Sequence, residues 1–149
     1  MSSVVVHIGT KKTGTTFLQS FLSRNQEALA TQGWRCPELP GKRGHHDLAL
    51  AFATDKGSQW HKMRGQDDPA ATGQLIDELS AFFGAAVAQD DRWVLSSEFI
   101  GSRLSNPADV RALLEFLQQY FDEVRVLIYF RRQDFMVPKY VLAVGQGGR

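Results

Sequence analysis

The residues best suited to chemistry sit in one short turn near the start of the chain, where Gly9 is followed by Lys12-Thr13-Gly14-Thr15-Thr16. A helix that begins at such a turn offers backbone N–H groups outside its own ladder, together with the positive end of its dipole. Both favour a bound anion. Gly14 lets the backbone curl tightly around oxygen atoms, Lys12 adds a full charge, and the Thr15 and Thr16 hydroxyls add donors. The order of these residues narrows the choice of anion. A nucleoside-triphosphate loop reads Gly-x-x-x-x-Gly-Lys-[Ser/Thr]. Gly9 and Gly14 have that separation, but Thr15 stands where the lysine belongs and Lys12 comes before the second glycine. The pattern departs from a kinase or ATPase at its most telling position. The plainer alternative is a glycine turn carrying a solvated lysine.

The surrounding elements decide between these readings. Val4-Val5-Val6-His7-Ile8 is β-branched and almost wholly apolar, as in a strand covered on both faces of a parallel sheet. Behind the turn, Phe17, Leu18, Phe21 and Leu22 recur at helical spacing. Trp34 to Pro37 reads as a short extended piece, Asp47 to Thr54 as a short helix, and Asp55 to Asp68 as a polar loop. Pro69 opens a helix whose apolar positions are Leu75, Ile76, Leu79, Phe82 and Phe83. Trp93 to Ser96 follows as a second core strand. Asn106 and Pro107 announce another helix, with Val110, Leu113, Leu114, Leu117 and Phe121 along one face. Val124 to Phe130 reads as a third core strand. Strands alternating with helices imply one α/β domain over residues 1–149, three layers (α/β/α) around a central parallel sheet. Ligands of such sheets sit outside the carboxyl ends of the strands, which directs attention to the residues after Ile8, Ser96 and Phe130.

Placed between a core strand and a helix, His7-Ile8-Gly9 and Lys12-Thr13-Gly14-Thr15-Thr16-x-Leu18-Gln19 resemble the 5′-phosphosulfate loop of sulfotransferases that use 3′-phosphoadenosine 5′-phosphosulfate (PAPS), in their bacterial branch. The resemblance extends to residues 45–49, 93–98 and 124–134. It implies a P-loop NTPase-like sulfotransferase fold, with PAPS as sulfuryl donor and Lys12, Thr13, Gly14, Thr15 and Thr16 around its 5′ end. In that family an arginine ending the third strand and a serine one helical stretch later hold the 3′-phosphate. Arg131 matches the arginine, and guanidinium forks suit phosphate. Eight residues on, Lys139 stands in place of the serine, after Pro138. A lysine still contacts phosphate, as a longer and looser donor. Paired arginines can also simply close a strand at the surface.

Sulfuryl transfer needs an in-line acceptor, neutralisation of the leaving phosphate and a base. Lys12 is the candidate for the leaving-group oxygen. The second strand delivers Ser96-Ser97-Glu98 to the active edge, making Glu98 the first candidate base; otherwise it is a carboxylate paired with a nearby cation. His45 and His46 are the rival bases, in a His-His-x-Leu-Ala segment that resembles the family's acceptor region. His7 reads as structural and His61 as solvated. No metal-ligand cluster is evident, and the strand ends lack the aspartate that supports Mg²⁺ in an ATPase. The resemblance implies transfer without a metal.

The bulk numbers exclude other classes. With 43% hydrophobic and 22% charged residues the chain is an ordinary globular protein. A formal net charge of +1 gives no basic excess for nucleic acid. No apolar run approaches a membrane span. The one cysteine, Cys36, allows no internal disulfide and reads as a packing residue rather than a nucleophile. With no signal-peptide layout, the expected location is the cytoplasm. Family members run to a few hundred residues, on the order of a domain or more. The glycine-rich ending from Gly145 to Arg149 therefore reads as a missing C-terminal part, and self-association over uncovered apolar surface is expected. The expected activity is sulfuryl transfer to a hydroxyl or amine of a small molecule, carbohydrate or lipid. The competing expectation is a nucleotide-binding remnant without turnover, and a P-loop kinase or ATPase ranks third.

Overall fold

The computed structural model describes residues 1–11, 13–40, 45–54, 62 and 68–130. Lys12, His61, Arg131 and Lys139 lie outside the described residues, as does most of the expected loop between Asp55 and Asp68. The β-branched run near the start forms β1 (Ser3–His7), which sits between β2 (Arg92–Ser96) and β3 (Glu123–Leu127) in a parallel sheet. Val4 lies opposite Trp93 and Val124, and His7 opposite Ser96 and Leu127. Arg35 extends the sheet by a parallel bridge to Trp93: its N–H donates to the Arg92 carbonyl and its carbonyl accepts from Val94 N–H, both at 2.8 Å. This is the extended piece expected at Trp34 to Pro37.

Six helices connect these strands among the described residues: α1 (Thr15–Arg24), α2 (Gln26–Thr31), α3 (His46–Phe52), α4 (Pro69–Ala86), α5 (Glu98–Arg103) and α6 (Pro107–Gln118). Two of them start as their sequences dictate. Asp68 accepts from Ala70 N–H and Asn106 from Ala108 N–H, both at 2.9 Å, each with proline in the first turn. The helix after the turn contains all four of its expected apolar positions and ends at Arg24. Asn25 folds its side-chain amide back to the Phe21 carbonyl at 2.7 Å, closing α1 before α2. α5 was not expected from periodicity; Ser97 caps it, accepting from Phe99 N–H at 3.3 Å. No helix among the described residues is long and apolar enough to cross a membrane.

The core is built on the face of the sheet that carries Val4, Val6, Trp93 and Leu95, all buried. Phe83 of α4 and Trp93 of β2 are fully buried and form a ring cluster with Phe82, Phe116, Tyr120 and Phe121, at centroid distances of 5.3 to 6.1 Å. Such contacts add to the area each ring removes from water. α6 turns slightly from the expected stripe: Phe116 is buried, whereas Val110 is 40% exposed. β3 differs more. It ends at Leu127 and pairs with β1 alone among the described residues, and Val126 is 52% exposed. Among the described residues it stands at the edge of the sheet.

A close approach joins α5 to the end of β1. A methyl group built on Gly101 would lie 2.4 Å from the Ile8 carbonyl oxygen, whereas one on Gly73 in α4 meets nothing within 4 Å. Gly101→Ala is expected to destabilise the protein by about 1–3 kcal/mol through this overpacking. Gly73→Ala is expected to stabilise it by up to about 1 kcal/mol through helix propensity. Urea unfolding of both variants checks the pair; a Gly101→Ala protein as stable as wild type would refute the contact.

Candidate functional site at the carboxyl edge of the sheet

β1 leaves the centre of the sheet pinned on both sides. Ile8 N–H donates to the Leu127 carbonyl at 2.9 Å, Tyr129 N–H to Gly9 at 2.8 Å and Thr10 N–H to Tyr129 at 3.1 Å. On the other side, Ser97 N–H donates to the His7 carbonyl at 2.9 Å. Gly9 has a φ of +100°, and a Cβ there would stand 3.2 Å from Glu98 Cα and Cβ. The positive φ favours glycine, and any side chain would also press on Glu98. The chain then curls until Gly14, at φ 92° and ψ 19°, turns into α1. The first bond of that helix runs from Leu18 N–H to the Gly14 carbonyl at 3.0 Å. The N–H groups of Thr15, Thr16 and Phe17 therefore stand ahead of the ladder, and glycine brings no side chain to cap them.

The expected turn residues do not all play the same part. The Thr13 hydroxyl donates to the Thr10 carbonyl and so braces the turn from inside. Thr15 is buried, while Gly14 and Thr16 are exposed. Lys11, Gly14, Thr15, Thr16 and Glu98 line a cleft of about 280 Å³. Lys11 holds its ammonium 5.4 Å from the centre of the Phe99 ring, a cation–π contact on the α5 side. The structure thus brings Glu98 to the turn, as expected from the end of β2.

Glu98 is held from α1. Gln19 donates from Nε2 to Glu98 Oε2 at 2.8 Å and reaches the Ser96 carbonyl at 3.5 Å. Sequence reasoning gave Gln19 no role of its own, although its place one turn after Thr15 was the available signal. The two histidines lie behind this layer. His45 Nδ1 accepts from Ser96 N–H at 3.0 Å, which puts its proton on Nε2, and Nε2 donates to the Pro37 carbonyl at 2.8 Å. Both ring nitrogens are engaged with backbone. His46 bonds through Nδ1 to the Ser97 hydroxyl at 2.8 Å and sets its ring edge-on to Phe99, with centroids 4.7 Å apart. It therefore touches the residue that caps α5.

Beneath them is a second cavity, of about 170 Å³, whose lining includes Gln19, Leu22, Cys36, His45, His46 and Ser96. Burial pushes the Cys36 thiol up to about 11, which keeps it protonated and unreactive near neutral pH. Comparison with protein-family models, curated proteins and solved structures finds no match to this chain.

Burial holds His45 below its ordinary value of 6.5, against the opposing effect of its hydrogen bonds to the Pro37 and Ser96 backbone, and the charge of neighbouring His46 adds to the lowering. His7 is lowered as well, by burial against an opposing effect of Glu98. The unfolded rings take up protons near pH 6.5, the folded ones only at lower pH. Between those values the unfolded chain binds more protons, so stability is full above about 6.5 and declines as the solution is acidified. Urea midpoints at about pH 7.5 and about pH 5.5 are expected to show this decline, and His45→Gln to reduce it. An identical pH slope in the variant would contradict the assignment of His45 as a buried neutral ring.

Proposed function

We propose that this chain is a PAPS-dependent sulfotransferase domain, with a three-layer P-loop-like fold, that moves a sulfuryl group to a hydroxyl or amine acceptor. The observation that carries the reading is the cleft between the N-terminus of α1 and Glu98, at the carboxyl edge of a parallel sheet. Donor and acceptor chemistry face each other there. The free amides ahead of α1 suit the 5′-phosphosulfate, and the lysine-before-glycine order separates the turn from a triphosphate loop.

In this reading the acceptor oxygen or nitrogen attacks sulfur in line as the bond from sulfur to the bridging phosphate oxygen breaks. Lys12 and the turn amides take the charge that develops on that oxygen, and 3′-phosphoadenosine 5′-phosphate leaves. Glu98 accepts the acceptor's proton, oriented by the Gln19 amide. Arg131 and Lys139 take the 3′-phosphate. His45 braces the end of β2, and His46 holds Ser97 beneath Glu98. The acceptor is a small molecule, carbohydrate or lipid, and the transfer uses no metal.

A transfer assay with radiolabelled PAPS and a broad acceptor panel tests the proposal. Lys12→Ala is expected to lower transfer by roughly 10²- to 10³-fold, the scale of losing one transition-state donor. Glu98→Gln is expected to depress turnover while donor affinity stays near wild type. Donor binding with no transfer to any acceptor would instead identify a nucleotide-binding remnant, and wild-type turnover in Lys12→Ala would overturn the role of that lysine.

A further inference from the structure

The Gly14–Thr15 segment has a second open side. There, a cavity of about 270 Å³ is lined by His7, Thr13, Gly14, Thr15, Phe17 and Tyr129, among others. Its unusual feature is His7, a histidine in the middle strand of the sheet that is only 1% exposed. Nδ1 bonds to the Ser96 hydroxyl at 2.8 Å, across the β1–β2 register. The ring lies 5.3 Å from that of Tyr129 on the β3 side. Nε2 is buried and has no hydrogen-bond partner among the described residues. A polar atom left so is costly, on the order of 1–3 kcal/mol, and is expected to be matched by something that binds.

We infer that His7 is a ligand-binding residue of the turn: its Nε2–H donates a hydrogen bond to an oxygen of the phosphate-class anion seated at the start of α1. The 2.8 Å contact lets the Ser96 hydroxyl donate to Nδ1, and in that tautomer the proton sits on Nε2. That tautomer leaves His7, one of the cavity's lining residues, with a donor hydrogen to offer, like the amides of Thr15 and Thr16, whereas the opposite tautomer would offer an anion only a lone pair. Burial also favours the neutral ring. The anion would thus be gripped from two sides, by the helix start and by the central strand. The inference rests on reading the turn as an anion seat, but not on the identity of the nucleotide.

Nitrogen-15 NMR of the histidine side chains in the full chain tests it, with inorganic pyrophosphate as the probe. The expected result is a neutral His7 protonated on Nε2. Its signal should shift on titration with the same midpoint as the Thr15 and Thr16 amides. His7→Phe is expected to weaken pyrophosphate binding by roughly 10- to 100-fold, the range for a hydrogen bond to a charged group. A proton resident on Nδ1, a His7 signal that stays still while the amides move, or no response to pyrophosphate at all would each overturn the inference. Should pyrophosphate move these signals while 3′-phosphoadenosine 5′-phosphate fails to bind, the His7 assignment stands and the nucleotide reading falls.

Discussion

The site depends on how closely the exit of β1 can approach the start of α5. Two backbones meet there with no room for side chains between them. Gly9 lies against the Cα and Cβ of Glu98, and Gly101, one turn into α5, lies against the Ile8 carbonyl. With a larger residue at Gly101 the helix carrying Glu98 would stand off from the turn, and at Gly9 a side chain would strain the left-handed backbone. With glycine at both, the carboxylate faces the beginning of α1, and Gln19 can span the gap from one helix to the other. Ser97 strengthens the same junction. It caps α5, bonds to His46, and donates its N–H to the His7 carbonyl.

This junction is carried on the doubly paired centre of the sheet. β1 is paired on both sides, and β2 is anchored by Trp93 within the ring cluster around Phe83. Burying rings of this size gives the cluster its stabilising weight. Groups mounted on the ends of such strands keep their positions better than groups on free loops. The buried hydrogen bonds of His45 serve the same end, since they tie Ser96 of β2 to the Pro37 segment and leave neither ring nitrogen unmatched. The histidines that flank Glu98 in the fold are thus built into its support. β3, at the edge of the sheet among the described residues, contrasts with this, with Val126 and Leu127 exposed.

Much of the parallel α/β order was legible because the signals are local. A β-branched run marked β1, an apolar run marked β2, Pro69 marked the start of α4, and Asn106-Pro107 marked that of α6. The turn was legible because glycine and threonine at that spacing, between a strand and a helix, have few other uses. Features set by tertiary contact were not legible. α5 spans six residues and contains Gly101, so it is too short and too interrupted to show a helical period. The pairing of Gln19 with Glu98 joins residues 79 positions apart, which spacing cannot reveal. Periodicity also chose Val110 over Phe116 for the inner face of α6, because a small rotation of the helix decides between neighbouring stripes.

The central claim is that the turn ahead of α1 is shaped for a phosphorylated adenosine of the sulfate-donor type and not for a nucleoside triphosphate. Calorimetric titration measures this most directly, comparing 3′-phosphoadenosine 5′-phosphate without metal against ATP with magnesium. The account predicts saturable binding of the former and much weaker binding of the latter. Tighter binding of magnesium–ATP, or no binding of either nucleotide, would contradict it.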